Sequence, residues 1–436
     1  MRKIKLQVAL DFLELPRAMA VAEAAVAGGA DYIEAGTPLI KSEGLDAVRK
    51  LRERFPNHII IADMKTMDAG RIEAEAASKA GANIMTVIGT ASPSTIRECV
   101  EAGKHYGCQV AVDLLGVADP VEFARHAAEL GVAWLDVHCP IDAQMHGKDP
   151  LDLLRQVRAA TELTLAVAGG INSETAAAAV AAGADVVIVG GAITKADDPS
   201  KAAADICRAL EGGQAVATQH FKRAGADDLR RILATVSTAN VSIGSHNQPC
   251  LADLHTLWNG GRACGPALTV RTLPGDWSKP VQAIDLAKEG DIIVIDSGGK
   301  PPAIWGDLAT NSAINKGVAG IVVDGAVRDT ADIRELKFPV WARTVTSHAG
   351  EPKGCGEINQ PITIGGQRIC PGDWIVADDD GVMVLPRERA VEMANRAADV
   401  LEAENRVRAE IRNNKSSLGK VLNLQRWEKR GGPGIG

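Results

Sequence analysis

Residues Ile59–Asp68, "IIIADMKTMD", run three isoleucines and an alanine into Asp63, Lys65 and Asp68. A strand covered on both faces reads as a near-continuous apolar run, so charges gathered at its end mark a carboxyl end that opens to solvent. Alternation along such a strand puts Asp63 and Lys65 on one face and Met64 on the other. Seven more β-rich runs flank it: "LQVALD" (6–11), "YIEAGT" (32–37), "IMTVIG" (84–89), "VAVDLL" (110–115), "WLDVHC" (134–139), "LAVAGG" (165–170) and "VVIVGG" (186–191). Stretches of helical periodicity lie between them, among them "PRAMAVAEAAVAGGA" and "SETAAAAVAAGA". Several close on Gly29, Gly81, Gly131 or Gly183, the residue type suited to the left-handed position after a helix. Eight strand–helix units at even spacing predict an α/β fold whose first part, residues 1–210, is a closed (β/α)8 TIM barrel. An open doubly wound sheet is the alternative, and the evenness favours closure.

In a barrel of this kind the chemistry sits at the carboxyl ends of the strands. Asp11, Glu34, Asp63, Lys65, Asp113, Asp136 and His138 all fall at or near those ends. Five or more ionisable groups converging on one rim are hard to read as scattered surface charge. Strands seven and eight end in "AGGIN" and "VGGAIT", where Gly169, Gly170, Gly190 and Gly191 leave backbone N–H groups free to face an anion. A phosphorylated small molecule fits that corner.

Composition narrows the classes. Charged residues make up 24% of the 436-residue chain and aromatics 3%, with a net charge of −7 and no long basic run. Nucleic-acid binding is therefore not expected. No stretch of 18 apolar residues occurs, and Asp11 interrupts the first apolar run too early for a signal peptide, so no membrane association and a cytoplasmic location are expected. The eight cysteines show no CxxC spacing and read as reduced structural thiols.

On these residues the first part resembles the 3-hexulose-6-phosphate synthases, members of the orotidine-monophosphate-decarboxylase-like barrels. The resemblance rests on "ADMKTMDAG" (62–70), with the superfamily's Asp-x-Lys-x-x-Asp signature, "IEAGTPLIKSEG" (33–44), "VHCPIDAQMHGKDP" (137–150), "VAGGI" (167–171) and "VIVGGAIT" (187–194). It implies an aldehyde-lyase that joins formaldehyde to ribulose 5-phosphate through an enediolate, reversibly. Glu34 and Asp63 would hold Mg²⁺ or Mn²⁺, oxygen-seeking cations. Lys65 would stabilise the oxyanion, His138 would move the proton, and Asp11 and Asp68 would orient hydroxyls or Lys65. The four glycines would cradle the phosphate. Asp68 is implied to reach across a dimer interface. The sister ketogulonate-phosphate decarboxylases carry an arginine soon after the strand-six histidine and another after strand eight. Here "HCPID" and "VGGAIT" have none, which favours formaldehyde fixation over decarboxylation.

Residues 211–225 lack a strand pattern and read as a linker. From 226 to 436 a smaller layered α/β domain is expected, with a helix-like "DDLRRILATV", strands "DIIVID" (291–296), "GIVVDG" (320–325) and "DWIVADDDGVMVLP" (373–386), and a long charged helix after Pro386. The tail "GGPGIG" (431–436) carries no signal. In "WGDLATNSAINKGVAGIVVDGAVRD" (305–329) the chain leaves and returns to one edge, which can bring Asp307 and Asp329 together. That spacing, with "ACGPALTV" (263–270) and "GDIIVID" (290–296), resembles the family of regulator-of-ribonuclease-activity proteins and 4-hydroxy-4-methyl-2-oxoglutarate aldolases. The resemblance implies that Asp329 binds a divalent metal, Asp307 holds a metal-bound water and Arg328 neutralises an enolate on pyruvate. Pyruvate-derived 2-oxo acids are the implied substrates; a regulatory binding module is the alternative. His348 and Cys355, in the glycine-rich "TSHAGEPKGCGE", read first as loop chemistry, with a place at the border of this site as the alternative. Such domains are commonly trimeric, so a homo-oligomer built from dimeric barrels and trimeric second domains is expected.

Overall fold

The structure is a computed structural model that describes residues 4–218, 223, 225 and 228–427. The described residues form two compact units: those of 4–144, 148–218 and 402–427 in the first, and 145–147, 223, 225 and 228–401 in the second.

Eight parallel strands close the first unit into a barrel in sequence order: β1 (Lys5–Leu10), β2 (Tyr32–Ala35), β3 (Ile59–Thr66), β4 (Ile84–Ile88), β5 (Gln109–Asp113), β6 (Trp134–His138), β7 (Thr164–Ala168) and β8 (Val186–Val189). β8 pairs with β1 in register Leu6↔Val187 and Val8↔Val189, completing the ring. Period-two alternation divides each strand. Ala9, Ile61, Ala111, Trp134, Ala166 and Ile188 fill the barrel, while Leu6, Val8, Ile33, Ile60, Leu135 and Val187 face the helices. The connecting helices are amphipathic in a narrow, alanine-rich way. In Leu15–Ala27 the buried residues are Ala18, Val21, Ala22 and Ala25, an i, i+3, i+4, i+7 stripe. The expected return signals hold: Gly29 and Gly183 have φ of 103° and 105°, where a side chain would be strained.

Four parallel strands centre the sheet of the second unit: Ala263–Arg271, Ile292–Asp296, Gly320–Val327 and Val340–Val345. Both faces of this sheet are buried, Ile293, Ile295, Ile321 and Val323 on one and Ile292, Val294, Val322 and Trp341 on the other. The run 373–386, read from the sequence as one strand-like stretch, is a hairpin of Trp374–Asp378 and Gly381–Leu385. The turn is set by Asp378, whose Oδ1 accepts from the Asp380 backbone N–H at 3.0 Å.

The expected linker begins as the last turn of the helix Pro199–Gly212 and continues irregularly through 214–218, and most of the rest lies outside the described residues, as do residues 428–436. The long charged helix runs Ala390–Asn413. Its residues up to 401 belong to the second unit and those from Glu402 to the first, whereas the sequence reading ran the second domain to 436. Side chains decide this: Arg17 donates to Glu410 Oε2 at 2.6 Å, and Arg426 to Glu43 Oε1 at 2.6 Å. Among the described residues no helix is long and apolar enough to cross a membrane, and all eight cysteines are free thiols.

Candidate active site

The end of β3 departs from regular strand. Register with β4 shifts between Ala62 and Thr66, and Lys65 takes a left-handed φ of 46°, uncommon for any residue with a side chain. Thr86 on β4 holds this geometry: its Oγ1 accepts from the Lys65 N–H at 3.1 Å and donates to Asp63 Oδ1 at 2.6 Å. Backbone strain of this sort persists where neighbouring bonds over-determine it, commonly at functional sites. The Lys65 ammonium then lies 3.0 Å from Asp63 Oδ2 and 2.7 Å from Asp113 Oδ2. His138, at the end of β6, places Nδ1 2.9 Å from the same Asp113 oxygen. Thr37, the first residue of the helix after β2, donates to Asp63 Oδ2 at 2.6 Å.

Glu34 on β2 is buried and accepts from Gln7 Nε2 at 2.7 Å. Asp11 stands at the mouth between two glycines. A Cβ on Gly36 would collide with Asp11 Oδ1, and one on Gly190 would lie 3.6 Å from its Oδ2. Asp63 and Asp113 are 6% and 2% exposed, so the charges here are little screened. Burial, then the charges of Asp63 and Asp11, push the Glu34 carboxyl well up. Burial and Asp63 likewise raise Asp11. Burial acts the same way on Asp113, but hydrogen bonding and charge from His138 and Lys65 overcome it and bring that carboxyl down to about 2. Burial works against the Lys65 ammonium, yet Asp63 and Asp113 outweigh it and raise Lys65. Asp136 on β6 is buried with its Oδ1 unpartnered, and burial followed by Asp113 drives its carboxyl well up.

Of the residues read from the sequence, Asp63, Lys65 and His138 thus meet around Asp113, with Glu34 and Asp11 acting on the same charges. Asp68 lies exposed on the loop after β3 and makes no hydrogen bond or ion pair with another described residue. Gly169 and Gly170, after β7, have φ of 113° and 72°. A Cβ on Gly169 would sit 2.5 Å from the Cys139 carbonyl, whose oxygen is held by Gln144 Nε2 at 2.8 Å. Gly190 precedes the short helix Gly191–Thr194. Sequence reasoning saw Asp113 only as a rim charge and missed Thr37, Thr86, Gln7 and Gln144. Their hydroxyls and amides lack the charge signal that picked out the others.

Among the described residues no group of three or more His, Cys, Asp or Glu is set to hold a metal ion by itself. Glu34 and Asp63 nonetheless fit a hard divalent cation that retains water, because their donors are all oxygen. Burial, and after it the repulsion among Glu34, Asp63 and Asp11, raises Glu34 and Asp11 despite Lys65, so a bound cation would offset the repulsive part.

In the second unit, the strand Gly320–Val327 delivers Arg328 and Asp329 beside the start of the helix Asp307–Lys316. Asp329 has φ of 55° and accepts at Oδ2 from the Asp307 N–H at 3.3 Å. Arg328 Nε lies 3.3 Å from the same oxygen. Gly306 makes the approach possible, since a Cβ there would strike Asp329 Oδ2. The glycine-rich loop starts alongside: the His348 carbonyl accepts from the Ala303 N–H at 2.9 Å, at the head of the strand Ala303–Trp305.

The comparisons divide the chain the same way. Residues 4–206 match the Orotidine 5'-phosphate decarboxylase / HUMPS family, and residues 233–384 match RraA-like, Aldolase/RraA. A 3-hexulose-6-phosphate synthase of Mycobacterium gastri is 40% identical over 207 residues, 48% of this chain and 100% of its own length. One of Methylomonas aminofaciens is 41% identical over 201 residues, 46% of this chain and 96% of its own. A solved structure of the Salmonella typhimurium 3-hexulose-6-phosphate synthase aligns at 40% identity over 48% of this chain and 100% of its own, with a TM-score of 0.47. The chain therefore belongs, through its barrel, to the lyase family of the 3-hexulose-6-phosphate synthases, and carries an RraA-like domain fused behind it.

Proposed function

We propose that the barrel condenses formaldehyde with ribulose 5-phosphate to give 3-hexulose 6-phosphate, and runs the reverse cleavage when products dominate. The observation that carries this reading is the Lys65–Asp113–His138 chain next to a carboxylate pair. With Nδ1–H donated to Asp113, His138 keeps the lone pair of Nε2 for the substrate. His138 takes a proton from C1 of the sugar, leaving an enediolate. Lys65, kept charged by Asp63 and Asp113, supplies fixed positive charge to the enediolate oxygens. The enediolate carbon attacks formaldehyde, a carbon–carbon bond forms, and the new alkoxide takes the proton back from the imidazolium. Glu34 and Asp63 would hold Mg²⁺ or Mn²⁺, which when bound spreads negative charge developing on the sugar oxygens. Asp11 orients hydroxyls at the mouth, Asp68 serves a neighbouring barrel across a dimer interface, and Gly169, Gly170, Gly190 and Gly191 present backbone N–H groups to the phosphate.

The test is an assay of the whole protein with formaldehyde and ribulose 5-phosphate, with and without a chelator. Condensation that is lost with the chelator and restored by Mg²⁺ is expected. His138→Ala lowers kcat by about 10²–10⁴-fold, the range of a lost proton-transfer group, and Asp63→Ala, which removes a cation holder and a partner of Lys65, lowers it by about 10²-fold or more, each with the circular dichroism spectrum unchanged. Full activity in both variants sinks the assignment. Release of carbon dioxide from a ketogulonate-type sugar phosphate, without formaldehyde incorporation, replaces it with the decarboxylase reading.

For the second domain we infer metal-dependent cleavage of a 2-oxo acid, with Asp329 and Asp307 serving the cation and Arg328 the pyruvate enolate. The convergence of the Asp307 N–H and the Arg328 guanidinium on Asp329 supports it. Pyruvate release from oxaloacetate in the presence of Mg²⁺ tests it. No release, with binding to a ribonuclease instead, favours a regulatory module. Dimeric barrels and trimeric RraA-like domains would together build a larger homo-oligomer.

A further inference from the structure

Two elements that carry the barrel site are tied to a segment far away in sequence. The loop after β1 bears Asp11 and Phe12, and the helix Thr37–Glu43 begins with the hydroxyl that binds Asp63. The far end of that helix is pinned to the β1 loop: Ser42 Oγ donates to the Leu13 carbonyl at 2.7 Å, and Glu43 Oε1 accepts from the Leu15 N–H at 3.0 Å. Arg426 closes the arrangement from outside, with Nη1 2.6 Å from Glu43 Oε1 and Nη2 3.1 Å from Ser42 Oγ. The Arg406 guanidinium lies over the Phe12 ring, 6.0 Å from its centroid, and Arg17 joins Glu410 Oε2 and the Val421 carbonyl at 2.6 and 3.1 Å. Phe12 is 6% exposed and follows Asp11 directly, so its placement fixes where Asp11 emerges. The Mycobacterium gastri relative is matched over its whole length by 207 residues, and the family match ends at 206. Residues 402–427 are therefore an addition to the barrel, not part of the shared fold.

We propose that residues 402–427 form a strap across the β1 loop and the helix Thr37–Glu43, and that Arg426 is a positioning residue for the barrel reaction, acting on Asp11 and Thr37 through Ser42, Glu43 and Leu13. The activity part of this inference rests on the condensation proposed above.

The test uses the full chain carrying Arg426→Ala, a change at an exposed side chain. Amide hydrogen exchange over residues 12–17 and 38–44 is expected to quicken about tenfold, with the strands β4 to β7 unchanged. The KM for ribulose 5-phosphate rises about tenfold while kcat moves less, a misplacement of substrate-orienting groups. Arg426→Lys, which keeps one contact to Glu43, restores a large part of both. Unchanged exchange over 12–17 overturns the strap. Faster exchange with KM at its original value overturns the positioning role. If the unaltered protein does not condense the two substrates, the functional reading fails instead, and the strap stands or falls on the exchange result.

Discussion

Asp113 receives Lys65 Nζ at 2.7 Å and His138 Nδ1 at 2.9 Å on one oxygen, Oδ2, while Oδ1 accepts from the Leu115 N–H at 2.8 Å. A carboxylate can serve all three donors; an amide cannot, since its NH2 replaces one acceptor oxygen and must face either the Leu115 N–H or the Lys65 and His138 donors. Asp113→Asn is therefore expected to lower kcat by about 10²-fold or more through a misoriented imidazole, with KM for the sugar phosphate less affected, as steady-state kinetics will read. The same variant has a stability signature. The Asp113 carboxyl falls from an ordinary 3.8 to about 2 on folding. A lowered pKa contributes stability that is complete above 3.8 and lost as pH falls through about 2, on the order of 2 kcal/mol. Acid titration of the native protein should show that loss in this window, and the asparagine variant should lack it. An identical acid profile in the two proteins contradicts the assignment. Sequence showed Asp113 as a charge on the rim, because a late aspartate in an apolar run is a local signal. Its partners lie 48 and 25 residues away on β3 and β6, so its part in the site appears only when the barrel closes.

At the scale of elements, legibility follows how local the cause is. The eight barrel strands were readable because each carries its own signature, an apolar run followed by a glycine-closed helix. The shift at the end of β3 was not readable, since it depends on a hydrogen bond from Lys65 to Thr86 on the neighbouring strand. The glycine-rich loop 346–357 is a further case. Its anchor, Asp276, is fully buried and lies more than 70 residues earlier, accepting from the N–H groups of Lys353 at 3.0 Å and Cys355 at 2.8 Å, and from Ser278 Oγ at 2.6 Å. These bonds outweigh burial and hold the Asp276 carboxyl below the usual range. Hydrogen bonds to a buried charge contribute about 1.5–3 kcal/mol each. Asp276→Ala should thus free the loop before it unfolds the domain: exchange at 351–356 rises, and the thermal midpoint of the second unit falls by several degrees. Protection at 351–356 equal to the native protein's would show that the loop is held by something else.

At the scale of the molecule, two sets of acid and base groups belong to two compact units, each with a family resemblance of its own. The fusion was legible because both motif sets are short and contiguous, "ADMKTMDAG" in one part and "GAVRD" in the other. The return of residues 402–427 to the barrel was not, because a charged helix looks the same whichever surface it covers. If each site is self-sufficient, variants should act independently, as changes without shared partners do. Asp63→Ala is expected to remove formaldehyde condensation and leave pyruvate release from oxaloacetate within about twofold of the native rate. Arg328→Ala should do the converse, by removing the guanidinium that pairs with Asp329. A chelator should stop both, and Mg²⁺ should restore both. The double variant then shows the two losses multiplied, with neither activity changed beyond its single variant. Loss of both activities in either single variant, with the chain still folded, would mean that the two units work through one shared site, and the division of labour proposed here would fail.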